Sequence, residues 1–169
     1  PLPPVIEAFD ALVDEDLKAF KDVAAKLGGP IAEQSNAFSD TFTSQRDIIL
    51  IASKAKDPGQ DSSTFQDVLA DLIRGIQAIH KIRENNRNGP AENHLAMIAD
   101  GSGVVTWVTV TGTADWVSEM LAAAKFNGDK ILVNYRGKDT PDVEWVKAFV
   151  KLSGGLVSYV KEHHPRGLQ

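Results

Sequence analysis

The chain has 169 residues, 43% of them hydrophobic, which suits one globular domain with a core of its own. It contains no cysteine, which excludes disulfides, thiolate nucleophiles and metal sites with thiolate ligands. Its net charge of −5 has the wrong sign for neutralising nucleic-acid phosphates or an anionic membrane. We therefore expect a single domain, residues 1–169, that binds neither nucleic acid nor membrane.

The N-terminus gives no sign of secretion or membrane insertion. No apolar run approaches the roughly 20 residues that span a bilayer, and no basic segment is followed by an apolar one. These features predict a cytoplasmic protein. The chain begins with Pro1-Leu2-Pro3-Pro4 and has no initiator methionine, so we interpret it as a fragment of a longer protein.

Two helices are predicted in the first third of the chain. Apolar residues recur at spacings of three and four over residues 9–27, which indicates one face of a helix. Gly28 and Gly29 suit the left-handed backbone at which helices end, and Pro30 has the fixed φ that favours the first turn of the next. We expect this second helix to stop before Pro58, because proline disfavours helix at the preceding residue.

A third helix is predicted from a capping box at residues 63–66. The side chains of Ser63 and Gln66 can each satisfy a free backbone amide at a helix start. A broad apolar stripe follows, and we expect the helix to run as far as the turn at residues 88–90.

Residues 93–111 fit no single pattern. His94 to Asp100 suits a short helix, whereas residues 104–110 alternate branched and polar side chains as strands do. Because no second strand-like run could pair with this one, we interpret the region as a short helix followed by irregular or weakly helical chain.

The fifth helix is predicted to begin after Gly112-Thr113, with apolar positions as far as Tyr135 and a kink at residues 127–129. The sixth is predicted to begin at Thr140-Pro141-Asp142, with apolar positions as far as Val160. Thr140-Pro141-Asp142 is a helix start, with an oxygen cap, a preset φ and a carboxylate at the positive helix end. Gly154-Gly155 inside the last helix should cost about 2 kcal/mol relative to alanines, which packing must offset. The pattern predicts an all-α, up-and-down antiparallel bundle of about six helices.

The histidines do not predict a metal site. They are His80, His94, His163 and His164, and no pair has the spacing that places two imidazoles on one helix face. Adjacent His163 and His164 favour a solvated end of the last helix.

Other patterns give no catalytic signal. Residues 101–103, Gly-Ser-Gly, lack the third glycine and the lysine of a phosphate loop, so we interpret them as a turn. The acidic run 14–16 fits a solvated helix face better than a calcium loop. The three tryptophans are expected to be buried. We predict that the chain is not an enzyme and has no metal or cofactor.

A polar segment at the end of the third helix, RENNR at residues 83–87, differs from these patterns. Arg83 and Arg87 are four residues apart, so they should share a face where the helix dipole is negative. The segment can be a charge-complemented helix end, an arginine patch for an acidic protein surface, or both.

This segment, followed by NHL at residues 93–95, resembles the signature of cyclase-associated proteins. Shorter matches in order extend the likeness over nearly the whole chain: AFDALV (8–13), LGG (27–29), QR (45–46), TWV (106–108), VSEML (117–121), KF (125–126), VEWVKAF (143–149) and YVKEHHPRGL (159–168). Each match alone is weak, but their order and spacing together are specific. The chain therefore resembles the N-terminal helical domain of that family.

The resemblance implies a six-helix bundle, a cytosolic location and a role in actin turnover. In that family the domain works with cofilin at filament pointed ends, promotes loss of terminal subunits and binds the complex of ADP-actin with cofilin. A preceding coiled coil, which we take to be missing here, oligomerises the family's proteins and binds adenylyl cyclase in some fungi. A separate C-terminal domain recharges the monomer with nucleotide.

We accordingly expect an actin-binding regulatory domain that promotes cofilin-dependent filament disassembly, with actin and cofilin as partners. The alternative is a helical adaptor that links a signalling protein of the adenylyl cyclase pathway to the cytoskeleton. Weak homodimerisation stays open. The predicted partner-binding residues are polar groups at the helix end and just after it: Arg83, Glu84, Asn86, Arg87, Asn93 and His94.

Overall fold

The computed structural model describes residues 2–54, 62–109 and 113–168. Within these ranges the chain forms six helices, labelled α1 to α6, and no strand. Helix α1 has three consecutive segments, Pro4–Leu12, Val13–Leu17 and Lys18–Leu27, and the middle one is a π-helix. The others are α2 (Gly29–Lys54), α3 (Ser62–Asn85), α4 (Glu92–Gly101), α5 (Thr113–Tyr135) and α6 (Asp142–His163), with a 3₁₀ helix at Ser102–Thr109.

The helices pack around one hydrophobic core. Helix α1 lies against α2 and α6, α2 packs on α3, α4 contacts both α3 and α5, and α5 packs on α6. The 3₁₀ helix lies against α2 and α5. The largest fully buried side chains are aromatic: Trp107, Trp145, Phe9, Phe20, Phe38, Phe42 and Phe149. The predicted all-α, up-and-down antiparallel bundle is confirmed, as is the burial of Trp107 and Trp145; Trp116 is half-buried.

The π-helix in α1 accounts for an irregular spacing of buried residues. The buried positions of α1 are Ile6, Phe9, Leu12, Leu17, Phe20, Val23 and Ala24. The step from Leu12 to Leu17 is five residues, which matches the i→i+5 bonding of a π-helix and keeps both side chains on the core. Asp14 and Glu15 are exposed there, as predicted. The helix also begins earlier than predicted, at Pro4, because proline suits the first helical position.

Several predicted boundaries are corrected. The reversal before α2 is confirmed, since Gly28 has a φ of +64°. Helix α3 begins at Ser62, so the predicted cap residue Ser63 lies inside the first turn, and α3 ends at Asn85 rather than at residues 88–90. The predicted stop before Pro58 lies outside the described residues.

The ambiguous region is helical. Helix α4 and the 3₁₀ helix confirm the interpretation of a short helix followed by weakly helical chain. The Gly-Ser-Gly stretch at residues 101–103 belongs to these two helices, so its interpretation as a turn is wrong. Helix α5 runs as α-helix through residues 127–129.

Helix α6 begins at Asp142 without the predicted cap from Thr140. Its N-cap residue is Pro141, and no side chain caps the first turn. The Asp142 carboxylate points instead to α4, where Nε2 of His94 lies 2.7 Å from Oδ2. Asp142 therefore joins two helices.

The imidazole of His94 is enclosed by aromatic rings. Its centroid lies 5.2 Å from that of Trp145 and 5.6 Å from that of Tyr135. Burial lowers the pKa of His94, and this outweighs the opposing effect of Asp142. A neutral imidazole whose Nε2–H donates to the Asp142 carboxylate satisfies both groups.

The chain turns back onto the core after α6. The Tyr159 hydroxyl donates to the carbonyl of Val5 at 2.7 Å, so its oxygen accepts from Nε2 of His164 at 3.1 Å. The His164 ring also lies 5.0 Å from the Trp107 ring. Burial, aided by the neighbouring His163, lowers the pKa of His164 to about 4. The predicted solvated helix end is therefore wrong for His164.

The adjacent glycines of α6 differ in their surroundings. A Cβ atom at Gly155 would lie 2.6 Å from Cδ1 of Leu12 and 3.0 Å from Oδ2 of Asp16, whereas one at Gly154 would have no neighbour within 4 Å. Gly155 thus allows α6 to approach the π-helix of α1, and the resulting packing offsets its low helix propensity.

We expect Gly154→Ala to raise the free energy of unfolding by up to about 1 kcal/mol, because alanine favours helix over glycine. Gly155→Ala should lower it by about 1 to 3 kcal/mol, because the methyl group must displace Leu12. Urea unfolding followed by tryptophan fluorescence measures both, and each variant controls for the other. Equal effects would contradict the close approach at Gly155.

We expect His94→Ala to lower the free energy of unfolding by about 3 kcal/mol, because it strands the buried Asp142 carboxylate and leaves a cavity. Asp142→Asn should cost about 1 kcal/mol, because the amide can still pair with the imidazole. Denaturant titration measures both losses. If His94→Ala cost no more than Asn134→Ala at an exposed position, the pairing would have no structural importance.

We expect His164 to make stability fall with acid. Above its ordinary pKa of 6.5 the imidazole is neutral in both states, but between 6.5 and about 4 only the unfolded chain takes up the proton. The wild type should lose up to about 1.4 kcal/mol per pH unit there from this group, and His164→Gln should lose less. Urea unfolding across this range tests it, with His80→Gln as the exposed control. Parallel curves for wild type and His164→Gln would refute the assignment.

Candidate functional site

The predicted partner-binding segment forms the end of α3 and the turn after it. Nδ2 of Asn86 donates to the carbonyl of Ile82 at 2.7 Å, which satisfies one of the free acceptors at the helix end. Asn88 adopts a φ of +62°, a left-handed conformation that asparagine tolerates better than most residues. The local sequence therefore fixes both the helix end and the reversal towards α4.

Arg83 points to the neighbouring helices. Its Nη1 lies 2.9 Å from Oδ1 of Asp100 on α4. The other Asp100 oxygen accepts a hydrogen bond from Nδ2 of Asn127 on α5 at 2.6 Å. The side chain of Arg83 is only 27% exposed. Arg83 therefore links α3 through Asp100 to α4 and α5.

Arg87 lies beyond the end of α3 and pairs with Glu84. Its Nε and Nη2 donate to the two carboxylate oxygens at 3.1 and 2.6 Å. These hydrogen bonds lower the pKa of Glu84 and raise that of Arg87. Both side chains are more than half exposed. The expectation that Arg83 and Arg87 share one helix face is wrong, because the helix ends at Asn85.

The remaining two predicted residues lie at the start of α4 and differ in exposure. Asn93 is half-buried and borders a cleft beside α5. His94 is 2% exposed, so its ring offers no surface for direct contact and instead supports α4 from within. Glu84 and Arg87 are exposed, whereas Arg83 and Asn86 are half-buried like Asn93 and are already hydrogen-bonded within the bundle. A partner-binding role for the group of six stays a prediction.

The cleft beside Asn93 contains residues that sequence reasoning missed. It has a volume of about 480 Å³ and is lined by Asn93, Phe126, Asp129, Lys130, Val133 and Asn134. Phe126 is 66% exposed and Val133 72%. Nζ of Lys130 lies 4.5 Å from the centroid of the Phe126 ring. The sequence signal was present, since Phe126 and Val133 are seven residues apart and lie off the apolar stripe of the helix.

The described residues offer no site for a metal or membrane span. No group of three or more His, Asp or Glu side chains within them is placed to hold a metal. Nor is any helix in that part of the chain long and apolar enough to cross a bilayer. The candidate site is thus a polar turn beside a cleft that exposes two apolar side chains.

Sequence comparisons extend the likeness to named relatives. A family model described as "CAP, N-terminal domain" matches residues 9–168. The adenylyl cyclase-associated protein of Schizosaccharomyces pombe is 32% identical over 168 residues, which cover 99% of this chain and 30% of that protein. Human adenylyl cyclase-associated protein 2 is 31% identical over 166 residues, which cover 98% and 34%. The chain thus spans about a third of the length of the curated relatives it matches.

Two solved structures share the fold. A crystal structure of the N-terminal domain of CAP, which indicates variable oligomerisation, has a TM-score of 0.91 and 28% identity, covering 99% of this chain and 90% of that one. The N-terminal domain of the adenylyl cyclase-associated protein from Dictyostelium discoideum has a TM-score of 0.89 and 28% identity, covering 97% and 93%. Because the family model matches residues 9–168, which is nearly the whole chain, the chain belongs to the CAP N-terminal domain family.

Proposed function

We propose that this domain binds actin and promotes cofilin-dependent disassembly of actin filaments and turnover of monomers, without a covalent step of its own. The observation that carries the proposal is the family match over residues 9–168. Its partners are then actin and cofilin, and its location is the cytoplasm at the actin cytoskeleton. Residues 1–169 act as one binding domain in this proposal.

The mechanism rests on a difference in affinity between two states of the actin subunit. A bound domain favours disassembly only if it binds a released or distorted terminal subunit more tightly than a subunit packed in the filament. Equal affinity for both states would leave the equilibrium unchanged.

The proposed contact group is Glu84, Arg87 and Asn93. The Glu84–Arg87 pair is exposed, and a surface ion pair of this kind contributes little to stability, so its side chains can exchange partners at low cost. The guanidinium of Arg87 suits a carboxylate on an acidic protein surface. Arg83 and Asn86 position the turn, and His94 positions α4 beneath it.

A second candidate function is a helical adaptor for a signalling protein. It is favoured by the name of the relatives, adenylyl cyclase-associated protein. In this case the domain would contact a component of the cyclase pathway, and regions outside residues 1–169 would act on actin.

We expect the domain to accelerate depolymerisation of pyrene-labelled ADP-actin filaments in the presence of cofilin. The double variant Glu84→Ala, Arg87→Ala should reduce this acceleration at least about fivefold, because exposed interface contacts of this kind are worth about 1 kcal/mol or more. Its melting temperature should stay unchanged, since both side chains are exposed. Arg83→Ala, by contrast, should lower the melting temperature, because Asp100 loses its partner.

A matched control is available on α1. Lys18 and Asp22 form another exposed ion pair, with a nitrogen–oxygen distance of 2.9 Å, so Lys18→Ala, Asp22→Ala should leave the acceleration intact. If the wild-type domain had no effect on depolymerisation, the actin proposal would fail in favour of the adaptor. If the Glu84, Arg87 variant kept full activity, the contact group would be wrong.

A further inference from the structure

A second cleft lies between α5 and α6, next to the cleft that contains Phe126 and Val133. It has a volume of about 440 Å³, and its lining includes the apolar side chains of Leu132, Val146 and Val150. Asp129 borders both clefts. The first cleft is lined by α5 and by Asn93 of α4, and the second by α5 and α6. This pair of adjacent clefts, which meet at Asp129, is called the α5–α6 face below.

The α5–α6 face is positively charged in a chain whose net charge is −5. Its lining includes the lysines Lys125, Lys130, Lys147 and Lys151, against one carboxylate, Asp129. Lys151 also lies 3.7 Å from Asp16, but its side chain is 77% exposed, so this contact is weak. The face therefore carries an excess of positive charge around an apolar floor.

The exposed apolar side chains of this face follow a helical spacing. Phe126 and Val133 are the most exposed large hydrophobic residues in the described part of the chain. They lie seven residues apart on α5, which corresponds to about 10.5 Å along a helix axis. Clustered exposed apolar surface beside polar groups is typical of a protein interaction site.

We propose that the α5–α6 face is a docking surface for an acidic amphipathic helix of a partner protein. A bound amphipathic helix places its own apolar anchors at i, i+3 or i+4, and i+7. These anchors repeat along the partner helix at the same interval that separates Phe126 from Val133 on α5, so the two apolar stripes can lie side by side. Glutamates or aspartates on either side of that stripe would face the lysines, and this charge complementarity gives specificity and a fast association. The face shares Asn93 with the proposed actin contact group, but Glu84 and Arg87 line neither cleft, so the two proposals can be tested separately.

The charge of the face also decides between occupants. A second copy of the same face would bring like charges together, which disfavours symmetric self-association. A flat anionic membrane would leave both clefts unfilled and would place lipid headgroups against Asp129. A convex helix with acidic edges fills the clefts and complements the lysines.

The test uses a fluorescent synthetic helix of about 18 residues with leucines at three- and four-residue spacing and glutamates on both sides. The wild-type domain should bind it in fluorescence anisotropy, with an affinity that falls as salt rises. Phe126→Ser, Val133→Ser should weaken binding at least about tenfold. Lys147→Ala, Lys151→Ala should weaken binding and reduce its salt dependence.

Two controls make the result specific to this face. A peptide with lysines in place of the glutamates should not bind, because the rim charge repels it. Glu84→Ala, Arg87→Ala should bind the acidic peptide as the wild type does, so failure of this proposal and failure of the actin proposal are distinguishable. All substituted side chains of the α5–α6 face are exposed, so melting temperatures should not change.

Five outcomes would overturn the proposal. The first two are no binding of the acidic peptide and equal binding of a scrambled peptide of the same composition. The third is a set of amide shifts in the NMR spectrum of the domain that maps the peptide away from α5 and α6. A dimer in light scattering that Phe126→Ser, Val133→Ser dissociates would make a second copy the occupant. Sedimentation with phosphatidylserine vesicles, lost in the same variant, would make a membrane the occupant.

Discussion

The bundle depends on the burial of the middle of α4. His94 to Ala99 are all buried, so this part of the short helix has no solvated face and lies between its neighbours. Polar groups in such a place need partners from the surrounding helices. The rest of the fold supplies these ties at both ends of the buried stretch.

The ties come from distant parts of the chain. At the first turn, His94 pairs with Asp142 of α6, and the carbonyl of Leu95 accepts a hydrogen bond from Nε2 of Gln34 on α2 at 3.0 Å. The same Gln34 amide nitrogen donates to the carbonyl of Ile79 on α3 at 3.1 Å. At the far end, Asp100 joins Arg83 and α5. The segment predicted to bind a partner is thus anchored by the same contacts that hold α4.

The sequence predicted the amphipathic helices and the short helix α4, but not that the middle of α4 is buried on every side. A helix buried on one side leaves an apolar stripe that shows which face is inward, whereas the middle of α4 has no such stripe. The π-helix of α1 was missed for a related reason, because the buried steps of three on both sides of Leu12 and Leu17 resemble a single α-helix. The Thr140 cap is absent because Pro141 holds the N-cap position, and the pairing of Asp142 with His94, 48 residues away, could not be inferred from local sequence.

The candidate site was predictable in position but not in geometry. The polar character of residues 83–87 located a helix end, yet the partners of Arg83 come from α4 and α5 and could not be inferred from local spacing. The burial of His94 likewise depends on Trp145 and Tyr135, which lie on other helices. The exposed positions of Phe126 and Val133 carried a helical spacing that could have been noticed, since the rest of α5 defines which face is inward.

The hydrogen bond from Tyr159 to the carbonyl of Val5 joins residues 154 positions apart. Helix α1 therefore completes its surroundings only when α6, the last helix, packs against it. During synthesis on a ribosome, the apolar side of α1 facing α6 stays uncovered until almost the whole domain has emerged. Such long-range closure slows folding relative to bundles built from sequential neighbours, and it makes the final helix the step that seals the core.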